Sequence, residues 1–140
     1  MRTLLLLAPL AAGILAGCAP TIAETRSAQQ RLARNQAKIS RALAGLTPGQ
    51  PQTCLSDIER RTARMQNIGG TLLFRVSRNR VFRNDMNGNC ATNTIDPILV
   101  TQTPTTALCR GDIAQLIDRA ARLPVGACSY ADFVPYTRAK

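Results

Sequence analysis

Histidine and tryptophan are absent from this 140-residue chain, and acidic residues are scarce, at 8 against 18 lysines and arginines. Without histidine the chain lacks the commonest general base, the commonest metal ligand and the side chain that titrates near neutral pH. A Ser/His/Asp set is therefore excluded, and neither a G-x-S-x-G turn nor a Walker-type phosphate loop is present. These absences speak against an enzyme. Long apolar runs are missing too. Leu4–Ala16 falls short of the roughly 20 residues that a membrane-spanning helix needs. Lysine is nearly missing, since only Lys38 and Lys140 occur, so the net charge of +10 is carried by arginine.

What is present begins at the N-terminus. Arg2, the apolar stretch Leu4–Leu15, the small residues Ala16-Gly17 and then Cys18 follow one another in that order. The order resembles the leader and lipobox of bacterial lipoproteins. The resemblance implies that residues 1–17 are a signal peptide, removed before Cys18. It also implies that Cys18 carries palmitate-type acyl chains, and two or more such chains anchor stably. Gly17-Cys18-Ala19 is only an imperfect site for ordinary secretory cleavage, and Pro20 would hinder it. Ala19 is not acidic, which in lipoproteins of this type implies the periplasmic face of the outer membrane. Loss of Arg2 leaves a charge of about +9. In an exported protein this basicity points to lipopolysaccharide phosphates, anionic lipids or acidic partners rather than to nucleic acid.

Four cysteines remain: Cys54, Cys90, Cys109 and Cys128. An even number in an oxidising compartment reads as two disulfides. A Cys₄ zinc site is the competing reading, but such sites pair cysteines two to four residues apart. Here the separations are 36, 19 and 19 residues. No metal or cofactor is expected. Three pairings are possible, and Cys90–Cys109 nested inside Cys54–Cys128 is the favoured one.

About 120 residues make one domain and a tether. Residues 18–46 read as the lipidated N-terminus and a helical tether. Apolar residues fall at Ala28, Leu32, Ile39, Leu43 and Leu46, while Arg26, Arg31, Arg34, Lys38 and Arg41 face only Glu24. Two readings stay open: a solvated basic spacer that lifts the domain off the membrane, or a helix lying on an anionic bilayer or on another helix. Residues 47–53 read as a Pro/Gly/Gln linker, 54–136 as the folded domain and 137–140 as a tail. Within the domain, Thr71–Ser77 and Arg80–Arg83 read as a hairpin, with Leu72, Phe74 and Val76 on one face and Leu73, Arg75 and Ser77 on the other. Ile98–Thr101 and Phe133–Tyr136 read as extended. Asp112–Leu123 fits helix and strand spacing alike. The fold class is α+β: a basic tether helix, then a small, mostly β, disulfide-stapled domain.

The order Arg80-Val81-Phe82-Arg83-Asn84, Cys90, Leu108-Cys109, Asp112-Ile113, Cys128, Phe133 and Pro135 resembles a family of small exported bacterial proteins of unknown function. Its members carry Arg-x-Tyr-Arg-Asn, a cysteine, Leu-Cys with Asp-Ile nearby, and a cysteine before a Phe-x-Pro end. Here Phe82 replaces the tyrosine, Ala91-Thr92 follows Cys90, and Ser129-Tyr130 replaces a Leu-Gly step. The resemblance implies no activity, but it favours a strand at Asp112–Asp118.

Arg75, Arg78, Arg80 and Arg83 are the candidate anion-binding residues, because guanidinium forks pair bidentately with phosphate or carboxylate. Their alternative is an ordinary exposed strand face. Asp85, Asn87, Asn89 and Asp96 echo a calcium loop but lack its glycine register and its bidentate glutamate. Arg110-Gly111-Asp112 is an adhesion tripeptide by letters only. The resulting expectation is a lipid-anchored envelope protein with a structural or protein-interaction role. The alternative is a binding module for an anionic envelope molecule through the arginine hairpin.

Overall fold

The computed structural model describes residues 21–88, 90 and 97–139. Cys18, Asn89, Asp96 and Lys140 lie outside them, and with them the lipobox and half of the calcium-loop echo.

Helix α1 (Ile22–Ala42) opens on a capping box: Thr21 Oγ accepts the Glu24 N–H, and the Glu24 carboxylate accepts the Thr21 N–H at 2.8 Å. Its closing turn is not free. Ile39 and Leu43 are buried against Ile68, Leu73 and Val81. The strands then follow in close succession. They are β1 (Thr47–Pro48), β2 (Cys54–Leu55), β3 (Arg64–Ile68), β4 (Thr71–Ser77), β5 (Arg80–Asp85) and β6 (Asn87–Gly88), then β7 (Ile98–Gln102), β8 (Leu108–Cys109), β9 (Ile113–Ile117), β10 (Pro124–Ser129) and β11 (Phe133–Thr137). One short helix, α2 (Asp57–Thr62), interrupts them, with its own capping box between Ser56 and Glu59.

Five strands form an antiparallel sheet in the order β1-β11-β5-β4-β3, and four form a second in the order β6-β10-β9-β7. β2 and β8 pair separately. The end of α1 covers one face of the five-stranded sheet. The other face contributes Leu72, Phe74, Phe82 and Phe133 to a larger core, shared with Ala114, Leu116 and Cys128 of the four-stranded sheet. The result is three layers, which explains why both faces of β4 are apolar. Phe74 lies opposite Phe82 across the β4–β5 pair, and the Phe74 ring sits 5.8 Å from that of Phe133.

The expected hairpin is β4–β5, and Asp112–Asp118 holds the strand β9. Two readings need correction. The structure pairs Cys54 with Cys109 and Cys90 with Cys128, so the two loops interleave rather than nest. The reason is register. Cys54 and Cys109 face each other across β2–β8, with Cα atoms 4.0 Å apart, a neighbourhood that sequence spacing does not encode. Residues 47–53 are also more than a linker. Thr47 and Pro48 pair with Thr137 and Tyr136, and Gln52 and Phe133 exchange both backbone hydrogen bonds at 2.9 and 2.8 Å. Pro48 is tolerated because β1 is an edge strand and a proline there interrupts no inner ladder. Packed structure therefore begins in the last turns of α1, before Cys54, and β11 runs on into Thr137 of the expected tail.

Gly69 is required by its backbone conformation. Its φ is +61°, and a Cβ there would run into the Asn35 amide, where α1 crosses the β3–β4 turn.

Candidate functional site

The four hairpin arginines do not converge. A register shift between Arg75 and Ser77 breaks the alternation of β4. Arg75 precedes that shift and shares the α1-facing side of β4 with Leu73; its Nη2 donates to the Ala42 carbonyl at 2.8 Å and completes the helix C-terminus. Arg80 serves α2 instead: it meets Glu59 at 2.6 Å and lies 4.9 Å over the Phe82 ring. Arg83 pairs with Asp85 at 3.0 Å, and Thr71 Oγ1 donates to the same carboxylate at 2.7 Å. Arg78, on the hairpin turn, is exposed and has no partner among the described residues. Three of the four guanidinium groups thus hold the fold together.

The other singled-out groups are structural as well. Asn84 is fully buried. Its Nδ2 donates to the Ala131 carbonyl at 2.7 Å and its Oδ1 accepts the Ala131 N–H at 3.2 Å, clamping the turn between β10 and β11. The Asp112 carboxylate accepts the Cys109 N–H at 2.8 Å and shapes the turn between β8 and β9 rather than capping a helix. Arg110 pairs with Asp132, so the tripeptide is divided between two structural bonds. Asp57 and Glu59 do not form a carboxylate pair: Asp57 binds Arg61 and Arg60, Glu59 binds Arg80. The Arg61 hydrogen bond and charge hold the Asp57 carboxyl below its usual value. Tyr130 is buried, its hydroxyl 2.8 Å from Thr101 Oγ1, and burial pushes its pKa up, so it stays neutral. No group of three or more metal-ligating side chains occurs among the described residues, and no described helix is long and apolar enough to cross a membrane.

Two surfaces stand out, neither of them singled out by the hairpin arginines. The first is the outer face of the four-stranded sheet. β9 turns Ala114 and Leu116 into the core and Ile113, Gln115 and Ile117 outward. β7 turns Leu99 and Thr101 inward and Ile98, Val100 and Gln102 outward. Register brings Ile98 beside Ile117, Val100 beside Gln115 and Gln102 beside Ile113. Ile98, Val100 and Ile113 are 40, 42 and 52 % exposed. None of the described residues of this patch is charged, although the chain carries 18 basic residues. A shallow groove lined by Thr101, Gln102, Thr103, Gly111, Asp112 and Ile113 adjoins it. Alternation in Ile113–Ile117 was the signal for this face, but it shows only once the strand reading is chosen over the helical one.

The second surface is α1 itself. Arg26, Arg31, Arg34, Lys38 and Arg41 are all exposed. Arg31 donates to Ser27 Oγ and Arg41 to the Ala37 carbonyl, both neutral groups, and no carboxylate pairs with any of the five among the described residues.

No family model matches the chain, and no curated protein or solved structure is significantly similar to it.

Proposed function

We propose that this chain is a lipid-anchored envelope protein of the exported family it resembles. In this reading it is held by acylated Cys18 on the periplasmic face of the outer membrane, and its stapled domain serves a structural or protein-interaction role. The observation that carries the interaction role is the uncharged apolar face of Ile98, Val100, Ile113 and Ile117. Exposed apolar area of this kind, bordered by polar residues, is typical of protein contact sites. β7 is also an edge strand among the described residues, so its outer backbone groups suit pairing with an extended segment of a partner. The competing reading, an anion site on the hairpin, loses support because Arg75 and Arg83 are engaged by separate groups on one face and Arg80 by Glu59 on the other.

A photocrosslinking residue placed at Val100 in the native envelope tests this. A discrete protein adduct from Val100, absent when the probe sits at Arg78, is the expected result. Equal labelling at both positions, or none at Val100, would overturn the interaction role. Anchoring is tested separately. Cys18→Ser should abolish acyl labelling and membrane attachment, and unchanged labelling would remove the lipidation reading.

A further inference from the structure

We infer that α1 is a membrane-surface element whose stripe of Arg31, Arg34, Lys38 and Arg41 rests on an anionic phospholipid bilayer. Spacings of 3, 4 and 3 residues put these four side chains on one face of the helix, along about 15 Å of its length. That face is not the one that packs. Asn35, Ile39 and Leu43 meet the β3–β4 turn and the sheet, and at 100° per residue Lys38 lies about 100° around the helix from Ile39. The stripe thus stays uncovered while the helix is docked. Its one acidic neighbour on α1, Glu24, is held in the capping box. The attraction is electrostatic rather than insertive, because the C-terminal half of the apolar stripe is already used on the sheet. Phospholipid is favoured over an acidic protein by position. Thr21, the N-cap, stands three residues after Cys18, a reach of about 10 Å at most. This last point rests on the lipid-anchor reading; the charge argument does not.

The test uses the mature chain from residue 18, with Cys18→Ser and made without its leader, so that no acyl chain contributes. It should cosediment with vesicles of phosphatidylcholine and phosphatidylglycerol, not with phosphatidylcholine alone. Binding should fall as salt rises, because exposed charges are screened. R31Q/R34Q/K38Q should weaken partitioning by roughly 100-fold. R64Q/R78Q/R138Q removes the same charge from exposed arginines of the body and should change it less than about 3-fold. Equal losses in the two triple variants would reduce the effect to net charge and overturn the inference. So would binding to pure phosphatidylcholine, or α1-dependent binding to polyglutamate without vesicle binding. None of these outcomes depends on whether the natural chain is acylated or on what Val100 contacts.

Discussion

In the sheet body, carboxylates hold Arg60 and Arg61 at Asp57, Arg80 at Glu59, Arg83 at Asp85 and Arg110 at Asp132. In α1, five cations meet none among the described residues. The body carries eleven arginines and α1 four arginines and one lysine, but among the described residues only the body gives any of its cations a carboxylate. The few acids of the chain are concentrated where arginines help to fix strand and helix positions. The helix is left with charge that no fold contact uses. Exposed ion pairs contribute little each, about 0–1 kcal/mol. The contrast is therefore less about stability than about which surface keeps a net field outside the molecule. Basicity read from composition alone cannot make that distinction, and the sequence left both the hairpin arginines and the basic helix as candidates.

The comparison can be broken or sharpened by substitution. The largest effect should come from the body's covalent staple. Replacing Cys54 and Cys109 together by serine opens a loop of sequence separation 55, and denaturant unfolding should show a loss of about 4 kcal/mol. Next comes the docked end of α1. Ile39→Ala should cost about 3 kcal/mol in the same measurement, since Ile39 is buried against the sheet. Asn84→Ala should follow at about 1–3 kcal/mol, because the Ala131 N–H and carbonyl lose their buried partner. The smallest effect belongs to the outboard half of the helix. Leu32 lies on the same apolar stripe as Ile39 but is 67 % exposed, and Leu32→Ala should stay within about 0.5 kcal/mol. A loss at Leu32 equal to that at Ile39 would mean that the whole helix packs on the body.

Much of the sheet was legible because it repeats a local pattern. Thr71–Ser77 alternates, Arg80–Asp85 follows a two-residue turn, and Ile113–Ile117 alternates once strand is chosen. β3 was not legible. Arg64-Met65-Gln66-Asn67-Ile68 has no apolar period, and its strand form comes from pairing with β4. β10 carries Pro124 and Gly126, which weaken any strand reading, and a register shift lies between them. α2 left a signal that was not used: Ser56 followed three residues later by Glu59 is a capping box, as is Thr21 before Glu24. The hairpin arginines misled for a physical reason. Nearness in sequence suggested a cluster, but alternation puts Arg75 beside Val81 on one face of the hairpin and Arg80 on the other. Disulfide pairing and the docking of residues 47–52 depend on long-range register, which no local window contains.

Overlap of the two disulfide loops, which a nested pairing would share and a side-by-side pairing would lack, gives the chain a property in cleavage. The loop closed by Cys54–Cys109 and the loop closed by Cys90–Cys128 overlap, so together they cover every peptide bond from residue 54 to residue 128. A single proteolytic nick anywhere in that span leaves two fragments still joined through sulfur. Between residues 90 and 109 they are joined twice. Two side-by-side loops, Cys54–Cys90 and Cys109–Cys128, would have left the stretch from 90 to 109 as a breakpoint at which one cut separates the halves. β7 lies in that stretch, and with it the exposed apolar residues Ile98 and Val100. A protease that clips beside β7 would make a scar there, and the cut chain would remain one covalent piece.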